Sequence, residues 1–319
     1  MTTSNFPLLS FQEFLTGSEV EKRAVAQKLY NAFHTYGWVY LQDFGITKEE
    51  IAEMFAMSKK YFDRPLYEKL KQTLNDAETN QGYTPDGAEA NGGTDHKECY
   101  EHRRLSNELC PTDQELTNFR VFMDDFYAKC FKLSVNVLQA LALVMDLDMD
   151  YFSSALAKAD PQLRLLHYMP IERKIIESAG HARIIPHTDF GLCTLLFQDN
   201  VGGLEVDPFH TGKFLPATPI EGTCVINVAD LLQRLSNDRL RSTLHRVTSP
   251  PLEKVGNDGM LPARYSTAFF VHPSADVEID PILRDGEAKK YESVNAGKWR
   301  TMNTQKNYSN LLGGSALKV

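Results

Sequence analysis

The chain has 319 residues, enough for one large single-core domain or two ordinary ones, and its 42% hydrophobic and 24% charged residues sit in the ordinary globular range. The net charge is −8, with lysines and arginines scattered, so there is no basic stripe of the kind a nucleic-acid partner needs. Five well-separated cysteines without a C-x-x-C pair exclude the usual zinc-ribbon and redox spacings and point to reduced, unpaired thiols.

In chain order, Phe6 to Leu9 reads as a short strand. A helix is expected over Glu19 to Tyr36, with Val20, Ala24, Leu29 and Phe33 on its apolar face and a stop at Gly37. Trp38 to Leu41 is β-rich, and a second helix follows from Lys48, behind the candidate N-cap Thr47, to about Asp63-Arg64-Pro65. Asn75 to Asp95, rich in glycine, asparagine and acids, reads as a mobile loop. From Asp113 to Met145 a long helix is expected, its buried stripe formed by Phe119, Phe122, Phe126, Cys130, Leu133, Val137, Leu141 and Val144.

After Pro161 the texture changes to short strands between turns: Leu163–Tyr168, Cys193–Phe197, Leu204–Val206, Thr223–Val228, Arg246–Ser249 and Ser266–Val271. The expected fold is α+β, a double-stranded β-helix (jelly roll) core with flanking helices and an N-terminal α/β region. One structural unit is expected, made of an N-terminal region (1–112), a supporting helix (113–150) and the catalytic core with a C-terminal helical segment (151–319). The N-terminal MTTSNFPLLS has no basic region ahead of an apolar one, and the apolar stretch around Val135 to Met145 is too short to span a bilayer. A cytoplasmic protein is expected, with a small-molecule substrate, no nucleic acid, no membrane and no obligate protein partner.

The chemistry centres on Ile185-Pro186-His187-Thr188-Asp189-Phe190-Gly191. In an extended segment residues i and i+2 share a face, so His187 and Asp189 can address one cation, and His245 offers a third ligand. Two histidines and a carboxylate leave coordination positions open, which suits iron(II) and also zinc. By contrast, His34, His96, His102, His210 and His272 read as surface or packing residues. Further along, Arg264 and Ser266 share a strand face, and a guanidinium fork with a hydroxyl matches the distal carboxylate of a dicarboxylate. The ordered set H-x-D, H, R-x-S is far more specific than its parts.

These motifs resemble the isopenicillin N synthase-like branch of the 2-oxoglutarate/iron(II) dioxygenases. The resemblance runs over most of the chain, through Gly37-Trp38-Val39-Tyr40-Leu41, Gln81-Gly82-Tyr83, Thr194-Leu195-Leu196-Phe197-Gln198-Asp199, Gly203-Leu204-Glu205-Val206 and Val225-Ile226-Asn227-Val228. It implies iron(II) on His187, Asp189 and His245, and 2-oxoglutarate held by Arg264, Ser266 and Tyr168. It also implies O2 as cosubstrate and oxidation of a small molecule through an iron(IV)-oxo intermediate, as hydroxylation, desaturation, ring closure or ring expansion. Arg164, Phe190 and Phe270 fall where the substrate is expected, and Phe190, Phe197 and Phe270 suggest an apolar or aromatic metabolite.

Departures from the pattern are Leu166 for asparagine, Met169 for proline, Ala229 for glycine, Phe44 for histidine and a long stretch between His245 and Arg264. They bear on the substrate rather than the triad, and the His167-Tyr168 variant is similar to fungal secondary-metabolism members. The readings left open are an oxidase needing no 2-oxoglutarate, a zinc hydrolase and a non-catalytic binding protein on the same fold. A hydrolase has no use for the Arg264–Ser266 clamp.

Overall fold

Two helix starts follow from short local patterns. In Ser18-x-x-Glu21 and Thr47-x-x-Glu50 the hydroxyl accepts from the backbone N–H three residues on, and the glutamate accepts from the cap's own N–H at 2.7 Å in both cases. They open α1 (Glu19–Thr35) and α2 (Lys48–Phe62) of the computed structural model, which describes residues 5–74, 76, 79–89, 93–106 and 108–307. The apolar face of α1 differs from the expected one. Val20 and Ala24 are exposed, and the buried stripe is Val25, Leu29, Ala32 and Phe33, with Ala26 beside it. The i, i+4, i+7, i+8 spacing starts one turn later, because the first turn projects past the core.

The long helix α3 (Phe119–Val144) starts later than the expected Asp113. Asn118 adopts the left-handed conformation (φ 59°), and the preceding residues form turns closed by Glu115 on Thr112. Phe119, Phe126, Cys130, Leu133, Val137 and Leu141 are buried as expected, whereas Phe122 and Val144 are only half-buried. At 26 residues this is the one helix among the described residues long and apolar enough to cross a membrane, a longer stretch than the expected Val135–Met145. Its buried stripe packs on a sheet instead, with Phe126 against Phe197 at 5.4 Å and Tyr127 against Phe269 at 5.0 Å.

Two sheets form the core. Their strands in chain order are β1 (Leu8–Ser10), β2 (Trp38–Gln42), β3 (Gly82–Thr84), β4 (Glu98–His102), β5 (Gln162–Tyr168) and β6 (Ile184–His187). There follow β7 (Cys193–Gln198), β8 (Leu204–Asp207), β9 (Leu215–Pro216), β10 (Cys224–Val228), β11 (Leu244–Val247) and β12 (Arg264–Val271). The major sheet has the order β1-β2-β10-β7-β12-β5-β4-β3 and the minor sheet β9-β8-β11-β6. The six strands expected after Pro161 fall within two residues of their expected bounds, β6 and β9 are additional to them, and four N-terminal strands extend the major sheet at both ends.

Strand alternation sorts the interior into two apolar layers. Phe269 and Val271 of β12 point to the larger layer, under the helices, together with Leu163 and Leu165 of β5. Ala268, Leu166 and Tyr168 point the other way, toward Val206 and Val247 of the minor sheet. The functional cavity lies in this second, inter-sheet space. All five cysteines are unpaired, as expected, and four are buried.

The Asn75–Asp95 segment is a correction. Rather than a mobile loop, its described part contributes edge strand β3 and buries Asn80, Gln81, Tyr83, Glu89 and Asp95. Gly82 makes this possible: its φ is +113°, and a Cβ there would stand 2.4 Å from the Gln72 carbonyl. Positions 75, 77, 78 and 90–92 of the segment lie outside the described residues. The final α-helix, α4 (Ala296–Asn307), lies beside the cavity, where the Trp299 indole donates to the Phe190 carbonyl at 3.1 Å.

Candidate active site

His187 ends β6, and His245 lies directly opposite it on β11. Asp189, two residues after His187, sends Oδ1 to within 3.9 Å of His187 Nε2 and 3.8 Å of His245 Nε2. The three ligand atoms all lie within 4.8 Å of one another, and they are the one such cluster of three or more among the described residues.

Each ligand is oriented from behind. His187 Nδ1 lies 2.9 Å from the Ile185 carbonyl and His245 Nδ1 3.2 Å from that of Thr243. In the Nδ1–H tautomer both rings donate there, leaving each Nε2 lone pair directed at the shared point. Asp189 Oδ2 accepts from Thr194 Oγ1 and Asn227 Nδ2, both at 2.7 Å, leaving Oδ1 for a cation. Burial opposes ionisation of Asp189, but His245, His187 and the two hydrogen bonds outweigh it and hold the carboxyl below its ordinary range. Burial, and then His187, push His245 down to about 4. A carboxylate oxygen and two imidazole Nε2 atoms converging on one point form a donor set that binds a divalent cation, and this N2O set fits iron(II). Gly191 is required nearby, since a Cβ there would meet the Val271 carbonyl at 2.4 Å.

The second motif opens into the same cavity. Arg264 pairs in register with Tyr168, and Ser266 with Leu166, so the inward side chains of β12 and β5 lie alongside. The Arg264 guanidinium is 1% exposed, lies 4.7 Å over the Tyr168 ring, and donates to Ser266 Oγ at 3.3 Å and Gln198 Oε1 at 3.2 Å. The Tyr168 hydroxyl lies 3.5 Å from Ser266 Oγ. Arg264 Nε has no partner among the described residues, an orphaned buried donor of the kind an incoming carboxylate satisfies. Leu166, the departure from the family asparagine, lines this pocket.

Beyond the triad the cavity widens into a chamber lined by Arg164, Phe190 and Phe270. Arg164 is both a wall residue and an ion-pair partner. Its Nε lies 2.6 Å from Glu101 and Nη1 3.5 Å from Glu89, and its guanidinium stands 5.1 Å from the Phe270 ring centre. Glu89 also meets Lys97 at 3.0 Å. Burial would raise the Glu89 carboxyl, but Lys97 and Arg164 hold it at about 2. The wall therefore combines two phenyl rings with charged groups, a mixed surface rather than a wholly apolar one.

Two expectations are corrected here. Phe197 does not face the substrate; it packs behind the sheet against Phe44 and Phe126. His272, read as surface or packing, is 6% exposed and lines the chamber. Strand alternation held its signal: Arg264, Ser266, Ala268 and Phe270 face the cavity, and His272 continues their period one step past β12. Gln162 likewise continues Tyr168, Leu166 and Arg164 on β5. Glu89 had no comparable signal, because its position depends on the fold of the preceding segment.

A model of the 2OG-Fe(II) oxygenase superfamily matches residues 160–273, and one of the N-terminal region named for the non-haem dioxygenase in morphine synthesis matches residues 6–124. The chain is 34% identical to the 2-oxoglutarate-dependent dioxygenase ecdK of Aspergillus rugulosus, covering 93% of this chain and 97% of that protein. It is 37% identical to the proline hydroxylase buaE of Petromyces alliaceus, covering 89% and 93%. Among solved structures, a full-length Neurospora crassa protein crystallised in complex with alpha-KG superposes with a TM-score of 0.86 at 36% identity, covering 94% and 95% of the two chains. The same Neurospora crassa protein has been solved with alpha-KG and thymine.

The chain belongs to the 2OG-Fe(II) oxygenase superfamily and is a non-haem iron(II), 2-oxoglutarate-dependent dioxygenase, an oxidoreductase using O2 and acting on a small molecule. Its relatives include fungal dioxygenases. Of the readings open from sequence, the 2-oxoglutarate enzyme is the one these matches support.

Proposed function

We propose that His187, Asp189 and His245 hold the iron, that Arg264, Ser266 and Tyr168 hold the distal carboxylate of 2-oxoglutarate, and that the chamber beside Arg164, Phe190 and Phe270 takes the substrate. The observation that carries this reading is one cavity with the orphaned guanidinium at one end, the triad between, and the mixed chamber at the other. Bound iron supplies O2 activation coupled to oxidative decarboxylation of the cosubstrate. The protein's own part is positional. Asn227 and Thr194 fix Asp189, Tyr168 and Ser266 orient the dicarboxylate, and the two packed sheets keep water from the reacting centre.

For the substrate we propose a compact molecule with polar groups, held between Phe190 and Phe270 and hydrogen-bonded by the wall that carries Arg164 and Glu89. Relatives named for proline hydroxylation and for binding thymine accommodate molecules of this size and polarity. Hydroxylation at a C–H bond is the simplest outcome. The proposed organisation is a single unit in which 1–112 and the helix within 113–150 support the catalytic core of 151–319.

The test is aerobic turnover of iron(II)-loaded protein across free amino acids, pyrimidines and apolar aromatic acids, following succinate and substrate mass. Succinate coupled to a gain of one oxygen in a polar member supports the reading. Coupled turnover confined to the apolar aromatics contradicts the proposed substrate class.

A further inference from the structure

Arg183, four residues before His187, is fully buried (0% exposed) yet does not line the cavity. It donates from Nη2 to the Pro262 carbonyl, while Nε and Nη1 have no hydrogen-bond partner among the described residues. Its guanidinium lies 5.9 Å from the centre of the Tyr168 ring, the same ring that Arg264 covers at 4.7 Å. Two buried cations thus share one aromatic ring.

Neither is matched by a carboxylate among the described residues. The partners of Arg264 are a hydroxyl and an amide, and that of Arg183 is a carbonyl. Asp199, the acid near enough to act on Arg183 electrostatically, accepts from the backbone N–H groups of Tyr265 and Val201. Arg164, by contrast, faces two glutamates. Burial, then repulsion from Arg264, lowers Arg183 to about 10. A desolvated charge without a counterion is costly, and a tyrosine ring offsets only part of that cost. This end of the cavity carries more positive charge than the R-x-S motif alone supplies.

We propose that Arg183 is a second cation of the cosubstrate site, a positioning residue behind Tyr168 and Arg264 whose charge is compensated when the distal carboxylate of 2-oxoglutarate binds. The proposal rests on the assignment of Arg264 to that carboxylate. It makes an asymmetric claim: the charge destabilises the empty protein and strengthens dicarboxylate binding. A purely structural arginine would stabilise the empty protein and be indifferent to the ligand's distal charge.

The test compares wild type with Arg183→Gln, which keeps an amide donor for Pro262, Arg183→Met, which keeps length without charge, and Arg183→Lys, which keeps the charge. Each is loaded anaerobically with Mn(II) and titrated calorimetrically with 2-oxoglutarate and with 2-oxopentanoate, which lacks the distal carboxylate. The unliganded thermal midpoint is measured in parallel. The neutral variants should bind 2-oxoglutarate roughly tenfold more weakly, bind 2-oxopentanoate as wild type does, and melt no lower than wild type; lysine should recover part of the loss. Equal losses for both ligands, or undiminished 2-oxoglutarate affinity in whichever neutral variant folds, would overturn the proposal. If both neutral variants fail to fold, Arg183 is structural and the proposal falls. A wild type that does not prefer 2-oxoglutarate over 2-oxopentanoate refutes instead the reading of Arg264 on which it rests.

Discussion

Arg264 and His272 mark the two ends of one rail of side chains, and each makes a different demand. A lysine at 264 keeps the charge and loses the planar fork that meets Ser266 and Gln198 together. Arg264→Lys should weaken 2-oxoglutarate at least about tenfold while leaving metal affinity nearly unchanged, as read by calorimetric titration with each. At the far end His272 is held neutral, lowered from 6.5 to about 3 by burial and then by Arg103 and Arg300. The unfolded chain therefore takes up a proton below pH 6.5 that the folded chain refuses, so this residue's contribution is present above 6.5 and is lost as pH falls toward 3. His272→Phe should flatten the fall of the thermal midpoint across that acid window and raise the substrate KM without moving 2-oxoglutarate affinity. An unchanged acid slope would show that the imidazole is not the group refusing the proton. The pairs His187–Asp189 and Arg264–Ser266 were legible because each is local, residues i and i+2 of an extended segment, whereas His245 is brought to them by strand pairing. His272 was legible in principle through alternation, whereas Glu89 depends on a segment folding back across the sheet.

At the level of elements, boundaries set by a local rule were legible in the sequence and those set by packing were not. Thr47 and Glu50 close a box within one turn, so the start of α2 needed no tertiary information. The phase of α1 did, because Val20 and Ala24 fit a helical period but lie beyond the surface the helix covers. In α3 the period held from Phe119 to Leu141, because that stripe is buried against both α1 and the major sheet. Phe126 is the residue of that stripe in contact with Phe197, behind the cavity. Phe126→Ala should destabilise the fold by about 3–5 kcal/mol through the cavity it leaves. Chemical denaturation checks the loss, and metal affinity measured well below the transition should be retained. Little change in stability would mean that the sheet does not rely on this contact.

Across the whole molecule the two sheets are not the property of the catalytic region alone. β2 pairs with β10 and β4 with β5, so removing residues 1–112 would strip partners from both flanks of the major sheet. Unpaired edges invite intermolecular pairing, and a chain of 113–319 should be recovered as aggregate rather than as a monomer on size exclusion. A soluble, metal-binding fragment would show that the catalytic region folds unaided. The sequence led to the expectation of one structural unit but did not show which strands join it, since strand partnership links residues far apart in the chain. The two ends of the cavity act together: triad and clamp must receive one ligand between them. Anaerobic titration of the iron(II) protein with 2-oxoglutarate tests that most directly, through the visible charge-transfer absorption of a keto acid chelated to the metal. A saturable band in wild type, absent in Asp189→Ala and requiring higher 2-oxoglutarate in Arg264→Lys, is the predicted result; no band in wild type, with O2-dependent turnover in the absence of 2-oxoglutarate, would contradict it.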